Sequence, residues 1–255
     1  MLEPMTDVSV RDRWTVGAAW LFVVVLCWAW IISMAVDMYG RMTGAAQWMM
    51  TAQWDWNHVM VLFTMWSAMM VAMMLPTAAP TLRQYARSVF IESEAPRPTI
   101  QIGAFAGGYV LVWVLFSAVA TLAQRVMSER GLLTPMMEPA RPALAGGLLL
   151  GIGLYQLMPF KRMCLASCRS PVACVERRRS GLVGALRSGI QHGLACLGCC
   201  WALMLLLFAG GVMNLAVIAA VTLIVLFEKA SPFGMRSTLV SGGVLMGLGF
   251  WVFGR

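Results

Sequence analysis

Charge is the first thing this sequence lacks: only 12% of its 255 residues are Asp, Glu, Lys or Arg, about half the usual share in soluble domains. That scarcity excludes an ordinary soluble enzyme. Histidine is rarer still, with only His58 and His192 in the chain. In the span assignment below these two fall on opposite sides of the membrane. They cannot form a bis-histidine haem pair, an HExxH zinc-protease helix or a histidine box for a di-iron oxygenase. No Walker loop or GxGxxG fingerprint opens a helix, so ATP chemistry is excluded and no nucleotide, flavin or haem is expected. A lysine within a span for a retinal Schiff base is missing too. Repeats with a period of about 20–50 residues are absent, as are inverted duplications, which weakens a transporter built from internal repeats.

Apolar residues fill the space that charge leaves: 60% of the chain is hydrophobic, with 22 methionines and a mean hydropathy of +0.76. A single domain of this length still exposes about a quarter of its chain surface, so an excess this large needs lipid as part of the solvent. The chain reads as all-α, one integral membrane domain over residues 1–255, a polytopic bundle of transmembrane helices in contact with the lipid bilayer. A span needs about 20 largely apolar residues, and seven segments qualify: Val16–Ala35, Val59–Leu75, Ile102–Leu122, Ala143–Phe160, Gly189–Phe208, Val212–Phe227 and Leu239–Phe253. The run from Gly193 to Phe227 is too long for one span and divides at Gly210-Gly211, where glycine permits a tight turn.

Orientation follows from the basic residues, which concentrate in short cytoplasmic loops. With the N-terminus inside, Arg11, Arg13, Arg83, Arg87, Arg97, the basic segment from Lys161 to Arg187, Lys229 and Arg236 all lie on the inner face. This favours seven spans with the N-terminus inside and the C-terminus outside. Topology accounts for most of the net charge of +8, and the short loops offer no element to read a nucleic acid. The first apolar run is Trp-rich, about 20 residues long and without a small-residue cleavage site, so it is read as a retained span and not a signal peptide. Gly103/Gly107, Gly147/Gly151 and Gly243/Gly247 form small-xxx-small pairs that let helices approach closely. Trp48, Trp54 and Trp56 suit an interfacial aromatic belt.

Of the seven cysteines, six lie between positions 164 and 200. Cys164, Cys168 and Cys174 follow the fourth span on the cytoplasmic side, and Cys196, Cys199 and Cys200 lie inside the fifth. A reducing compartment disfavours disulfides, which leaves metal binding or thiol chemistry. At 100° per residue His192, Cys196 and Cys199 share an arc of about 60° on one helix face, with Cys200 at its edge. Cys164 and Cys168 share a face if the segment stays helical to Pro171. Thiolates with one imidazole suit Zn²⁺ in a tetrahedral array, or Cu(I) with fewer ligands. Lys161, Arg162 and Arg169 are expected near the thiols, where positive charge favours thiolate. Cysteine is also a common small hydrophobe in packed helices, so each one taken singly reads first as a packing residue.

Methionine supplies a second soft donor. Met65, Met69 and Met73 form a stripe at i, i+4, i+8, with Met70 and Met74 beside it, just before Leu75-Pro76 at the inner end of the second span. Thioethers select Cu(I), although methionine fills core gaps throughout this chain. Polar groups inside spans are costly and mark sites. Glu228-Lys229 ends the sixth span, with Glu228 open as a ligand, a proton acceptor or an interfacial ion. Asn214 is expected to hydrogen-bond between helices, and Tyr155 and Gln156 to brace the cysteine segment.

Several strings together resemble a known family. They are Met65-Trp66, Ala72-Met73-Met74-Leu75-Pro76, Gly108-Tyr109 with Trp113, Tyr155-Gln156 with Pro159 and Lys161, Cys164-Leu165, and Cys168-Arg169-Ser170-Pro171. Gly193-Leu194, Cys196, Gly198-Cys199-Cys200-Trp201, Met213-Asn214-Leu215 and Glu228-Lys229 continue the match. Over residues 59–229 the chain resembles a bacterial family of uncharacterised, predicted metal-binding integral membrane proteins, a domain of unknown function. The resemblance implies a metal-binding membrane protein without an established reaction. The resulting expectation is a soft metal, Cu(I) or Zn²⁺, held near the cytoplasmic face by ligands drawn from Cys164, Cys168, His192, Cys196, Cys199 and Cys200. Met69 and Met73 would serve as relay thioethers, in metal trafficking, sensing or metalloenzyme assembly. No recognised catalytic constellation is present. Two other readings stay open: an accessory subunit of a larger membrane complex, packed by these residues against partner subunits, and a membrane thiol oxidoreductase.

Overall fold

A computed structural model describes residues 5–40, 54–91, 98–170, 181–231 and 233–254. Cys174, one of the expected thiols, and Trp48 lie outside the described residues. The helices are α1 (Met5–Tyr39), α2 (Trp56–Ile91), α3 (Pro98–Glu129), α4 (Pro142–Leu157), α5 (Pro159–Arg169), α6 (Gly181–Met204), α7 (Leu206–Gly210), α8 (Leu215–Ala230) and α9 (Gly234–Phe253). Among the described residues there is no strand, only an isolated bridge between Leu133 and Pro139 in the α3–α4 connection. The fold is all-α, and each of the seven apolar segments is mainly helical.

Proline and glycine set the breaks. Pro142 and Pro159 open α4 and α5 at the first helical positions, where a missing N–H has no partner to lose. A residue before proline is driven out of the helical region. Met158 accordingly sits at φ −66°, ψ 141°, and α5 turns 64° away from α4. The turn after α7 uses Gly211 at φ +93°, a conformation glycine adopts at little cost. Asn214 then caps α8, its side chain accepting from the backbone N–H groups of Ala216 at 3.0 Å and Val217 at 3.4 Å. The expected interhelical bond of Asn214 is thus replaced by a helix cap, which satisfies donors that every helix start leaves open.

The second helix does not end at Pro76. It runs through Pro76 and Pro80 to Ile91. Pro76 cannot donate to the carbonyl of Ala72, and the indole N–H of Trp28 on α1 takes that place at 3.2 Å. Five helices are long and apolar enough to cross a membrane, or six if the bent pair α4–α5 counts as one span. At 16 residues α8 is roughly 24 Å long, short of the roughly 30 Å hydrocarbon thickness.

The tightest packing rests on glycines other than those singled out from the sequence. A side chain at Gly189 on α6 would run into the backbone of Phe105 on α3, and one at Gly153 on α4 would meet the carbonyl of Gly242 on α9 at 2.9 Å. These glycines let backbones touch. Gly103, Gly107, Gly147, Gly151, Gly243 and Gly247 instead face open space, because the contact faces of these helices lie about one residue along from them. The core formed between the helices is rich in methionine and aromatic residues, with Trp66, Trp113, Tyr109, Met69 and Met73 all buried. The outward faces of α1 and α9 carry exposed Leu, Val, Phe and Trp, which suits lipid as the surrounding solvent.

Candidate metal centre

Four thiols from two helices come together in this core. On α6, Cys196, Cys199 and Cys200 are buried almost completely, as the spacing i, i+3, i+4 on one helix face requires. The Sγ atoms of Cys199 and Cys200 lie 3.1 Å apart, and Cys199 donates to the carbonyl of Cys196 at 3.1 Å. The thiol of Cys196 also interacts with those of Cys199 and Cys200. Cys168, on α5, joins the group, its thiol near enough to those of Cys196 and Cys199 to interact with them. All the described cysteines are free thiols.

Cys196 is the hub of a closed ring of hydrogen bonds. The ammonium of Lys229, from α8, donates to its sulfur at 2.8 Å and to the hydroxyl of Thr77 at 3.0 Å. Thr77 donates to the carbonyl of Met74 at 2.8 Å. That carbonyl also accepts from the hydroxyl of Tyr109 at 3.0 Å, and the same hydroxyl lies 3.1 Å from the Cys196 sulfur. Helices α2, α3, α6 and α8 therefore all contact one sulfur or its immediate partners. Lys229 places a positive charge against the sulfurs in a dry interior, where an isolated ion is costly and a paired one is tolerated.

Of the three cations expected beside the thiols, Lys161 and Arg169 are engaged elsewhere, and the buried Nε of Arg162 has no hydrogen-bond partner. Lys161 forms a buried ion pair with Glu228, Nζ to Oε2 at 2.7 Å, with side-chain exposures of 0% and 2%. Lys161 also donates to Gln156 Oε1. Glu228 Oε1 accepts from Gln156 Nε2 at 2.9 Å and from Ser241 at 3.2 Å. Arg169 donates to the carbonyls of Glu228 at 3.2 Å and Ser231 at 2.6 Å. This network ties α5 to the end of α8, so it holds Cys168 and Lys229 in register. Sequence reasoning noted Glu228-Lys229 as a pair without separating the two. One turn geometry decides it: adjacent residues point about 100° apart on a helix, so Glu228 meets Lys161 while Lys229 reaches the thiols.

The other expected donors are placed differently. Cys164 packs over α6 at Gly198, where an added Cβ would lie 2.8 Å from its sulfur. Gly198 is two residues from Cys196, about 200° around the helix, so Cys164 covers another side of α6. The hydroxyl of Tyr155 donates to the Gly198 carbonyl at 2.5 Å and its ring meets Trp201 edge-on; with Gln156 it braces the cysteine segment as expected. His192 is buried with its ring stacked on Tyr109 and Phe105, at centroid distances of 5.6 and 6.1 Å. Met69 and Met73 are fully buried in the same core cluster as the cysteines. Tyr109 and Thr77, which the sequence reading had not assigned to the centre, belong to it through the ring around Cys196.

The donor set is soft. The oxygens of Glu228, next to Lys229 in the chain, are occupied by Lys161, Gln156 and Ser241, so this carboxylate is not a free hard ligand for Mg²⁺ or Ca²⁺. Among the described residues no group of three or more His, Cys, Asp and Glu side chains is arranged so that it could hold a metal ion. The sulfurs of Cys199 and Cys200, at 3.1 Å, are closer than the roughly 3.8 Å between two thiolates on one tetrahedral metal at about 2.3 Å. The chemistry of the group fits a soft monovalent ion such as Cu(I).

No curated protein and no solved structure matches this chain. A family model described as PpoB2, copper chaperone, does match it, over residues 63–252, a stretch that contains Cys168, Cys196, Cys199, Cys200 and Lys229. The family description names copper and lends no support to zinc. Three-quarters of the sequence, the thiol cluster included, thus falls within one family, and the chain belongs to the PpoB2 copper chaperone family.

Proposed function

We propose that this protein is an integral membrane copper carrier that accepts Cu(I) on the thiols of Cys168, Cys196, Cys199 and Cys200 and passes it on, in copper trafficking or in the assembly of a copper enzyme. The observation that carries this is the meeting of four free thiols from α5 and α6 around a buried lysine, with no free carboxylate beside them. Copper is cargo here. Each thiol that takes up the ion gives up a proton, and Lys229 offsets the negative charge that builds on the sulfurs as they do so. Cys168 is the least covered of the four, at 7% exposure against 0–1% for the others, which makes it the first sulfur an incoming ion meets. Ligand exchange from Cys168 to the α6 thiols then draws copper into the core. Cys164, His192, Met69 and Met73 act in this scheme as packing around the centre. The setting is a bacterial inner membrane with the N-terminus inside, the C-terminus outside, and α8 counted as a seventh span.

The test is copper content. Purified protein is loaded with Cu(I) under reducing conditions against a competing chelator, wild type beside Cys168→Ser/Cys196→Ser/Cys199→Ser. Retention of about one ion per chain by wild type and loss in the triple variant is the expected result. No stoichiometric copper in wild type, or equal copper in both, would overturn the reading and leave the cysteines as packing residues of an accessory subunit.

A further inference from the structure

Away from the thiols, a groove of about 800 Å³ runs between the first half of α1 and the last third of α2. Its size is in the range of small-ligand sites. The walls are apolar, from Trp14, Trp20, Leu21, Leu82 and Phe90, and among the described residues its only charged lining is Arg83 and Arg87. Four residues apart, these two arginines share one face of α2. Among the described residues neither has a carboxylate partner and none that lines the groove is acidic. Trp20, which lines the groove, has its indole Nε1 buried without a hydrogen-bond partner. A buried donor left unpaired costs about 1–3 kcal/mol, so an acceptor supplied from outside the chain would be stabilised there. Gly17 lines the groove, and a Cβ added to it would meet nothing within 4 Å.

We propose that this groove is a binding site for one anionic phospholipid, independent of the copper reading. Arg83 and Arg87 bind the headgroup phosphate, in the fork geometry that guanidinium offers to phosphate oxygens. The acyl chain lies along the tryptophan and leucine walls, and Trp20 donates to an ester oxygen. The charge pattern selects the headgroup, because a zwitterionic lipid brings its own cation to a site that already holds two. Geometry selects a lipid over a free anion: α2, at 36 residues, is roughly 54 Å long and outruns the roughly 30 Å hydrocarbon layer. Its arginine end therefore emerges at headgroup level while the apolar wall reaches back into the bilayer. Basic pockets between helices on the inner face are a known means of holding such headgroups.

Native mass spectrometry of the full-length protein, delipidated and then titrated with phosphatidylglycerol or phosphatidylcholine, tests this. Wild type should retain one phosphatidylglycerol with about tenfold or greater preference over phosphatidylcholine. Arg83→Gln/Arg87→Gln should erase the preference. Gly17→Leu, which fills the groove without touching a charge, should lower retention of both lipids. Arg125→Gln, a control on the exposed Arg125–Glu129 pair of α3, should change nothing. Equal retention of the two lipids by wild type, or unchanged preference in the double arginine variant, would overturn the proposal. So would full displacement of the lipid by millimolar inorganic phosphate, which would show an anion site without a lipid.

Discussion

At the scale of single residues, the centre separates side chains that the sequence treats alike. Cys164 and Cys168 lie one turn apart on α5, yet only Cys168 interacts with the α6 thiols, while Cys164 fills the notch over Gly198. If the cluster is the copper site, Cys168→Ser lowers Cu(I) retention sharply and Cys164→Ser leaves it within about twofold of wild type, since a distant substitution removes no ligand. Copper titration of the two single variants checks this. Lys229 is the second distinctive residue. Replacing it with Met removes the charge beside Cys196 but keeps most of the volume, and should weaken Cu(I) binding by about tenfold or more. Lys229→Arg should restore most of the loss, because it restores the cation. If the two variants bind copper equally well, the charge of Lys229 has no part in binding.

At the scale of elements, the short helix α5 exists because Pro159 stops α4 and starts a new helix at an angle. That bend aims Cys168 at α6. The Lys161–Glu228 pair then fastens α5 to α8 in a place with almost no exposure. Breaking a buried pair from one side leaves an uncompensated charge and typically costs about 3–5 kcal/mol, whereas replacing both partners is far milder. Lys161→Met alone and Glu228→Gln alone are therefore expected to lower thermal stability and copper binding together. The double variant should recover much of the stability. A double-mutant cycle by thermal unfolding in detergent measures the coupling, and strictly additive effects would count against this role. The helices themselves were legible in the sequence, because apolar runs of this length have few alternatives in lipid. The end of α2 was not: Pro76 reads as a stop, but Trp28 supplies the hydrogen bond that proline removes. The active packing glycines were not legible either. Small-xxx-small spacing marks every close-packing face a helix offers, and only the neighbour decides which of them is used.

At the scale of the whole molecule, five or six of the described helices are long and apolar enough to cross a membrane, and the proposed orientation rests on the basic residues at their ends. With seven spans and the N-terminus inside, a reporter fused after Arg255 should be active only on the outer side of the membrane, and one placed after α5 only on the inner side. A C-terminal reporter active inside would show that α8 does not cross, in line with its 16 residues.

The sequence alone determined the all-α membrane character, the sulfur-rich segments and their grouping on helix faces, because each depends on composition and on the 3.6-residue period. Tertiary structure decided which thiols meet, which cation accompanies them and which stays with Glu228. Those outcomes depend on how α5, α6 and α8 face one another, and a difference of 100° between neighbouring residues on a helix is invisible until its partner is in place.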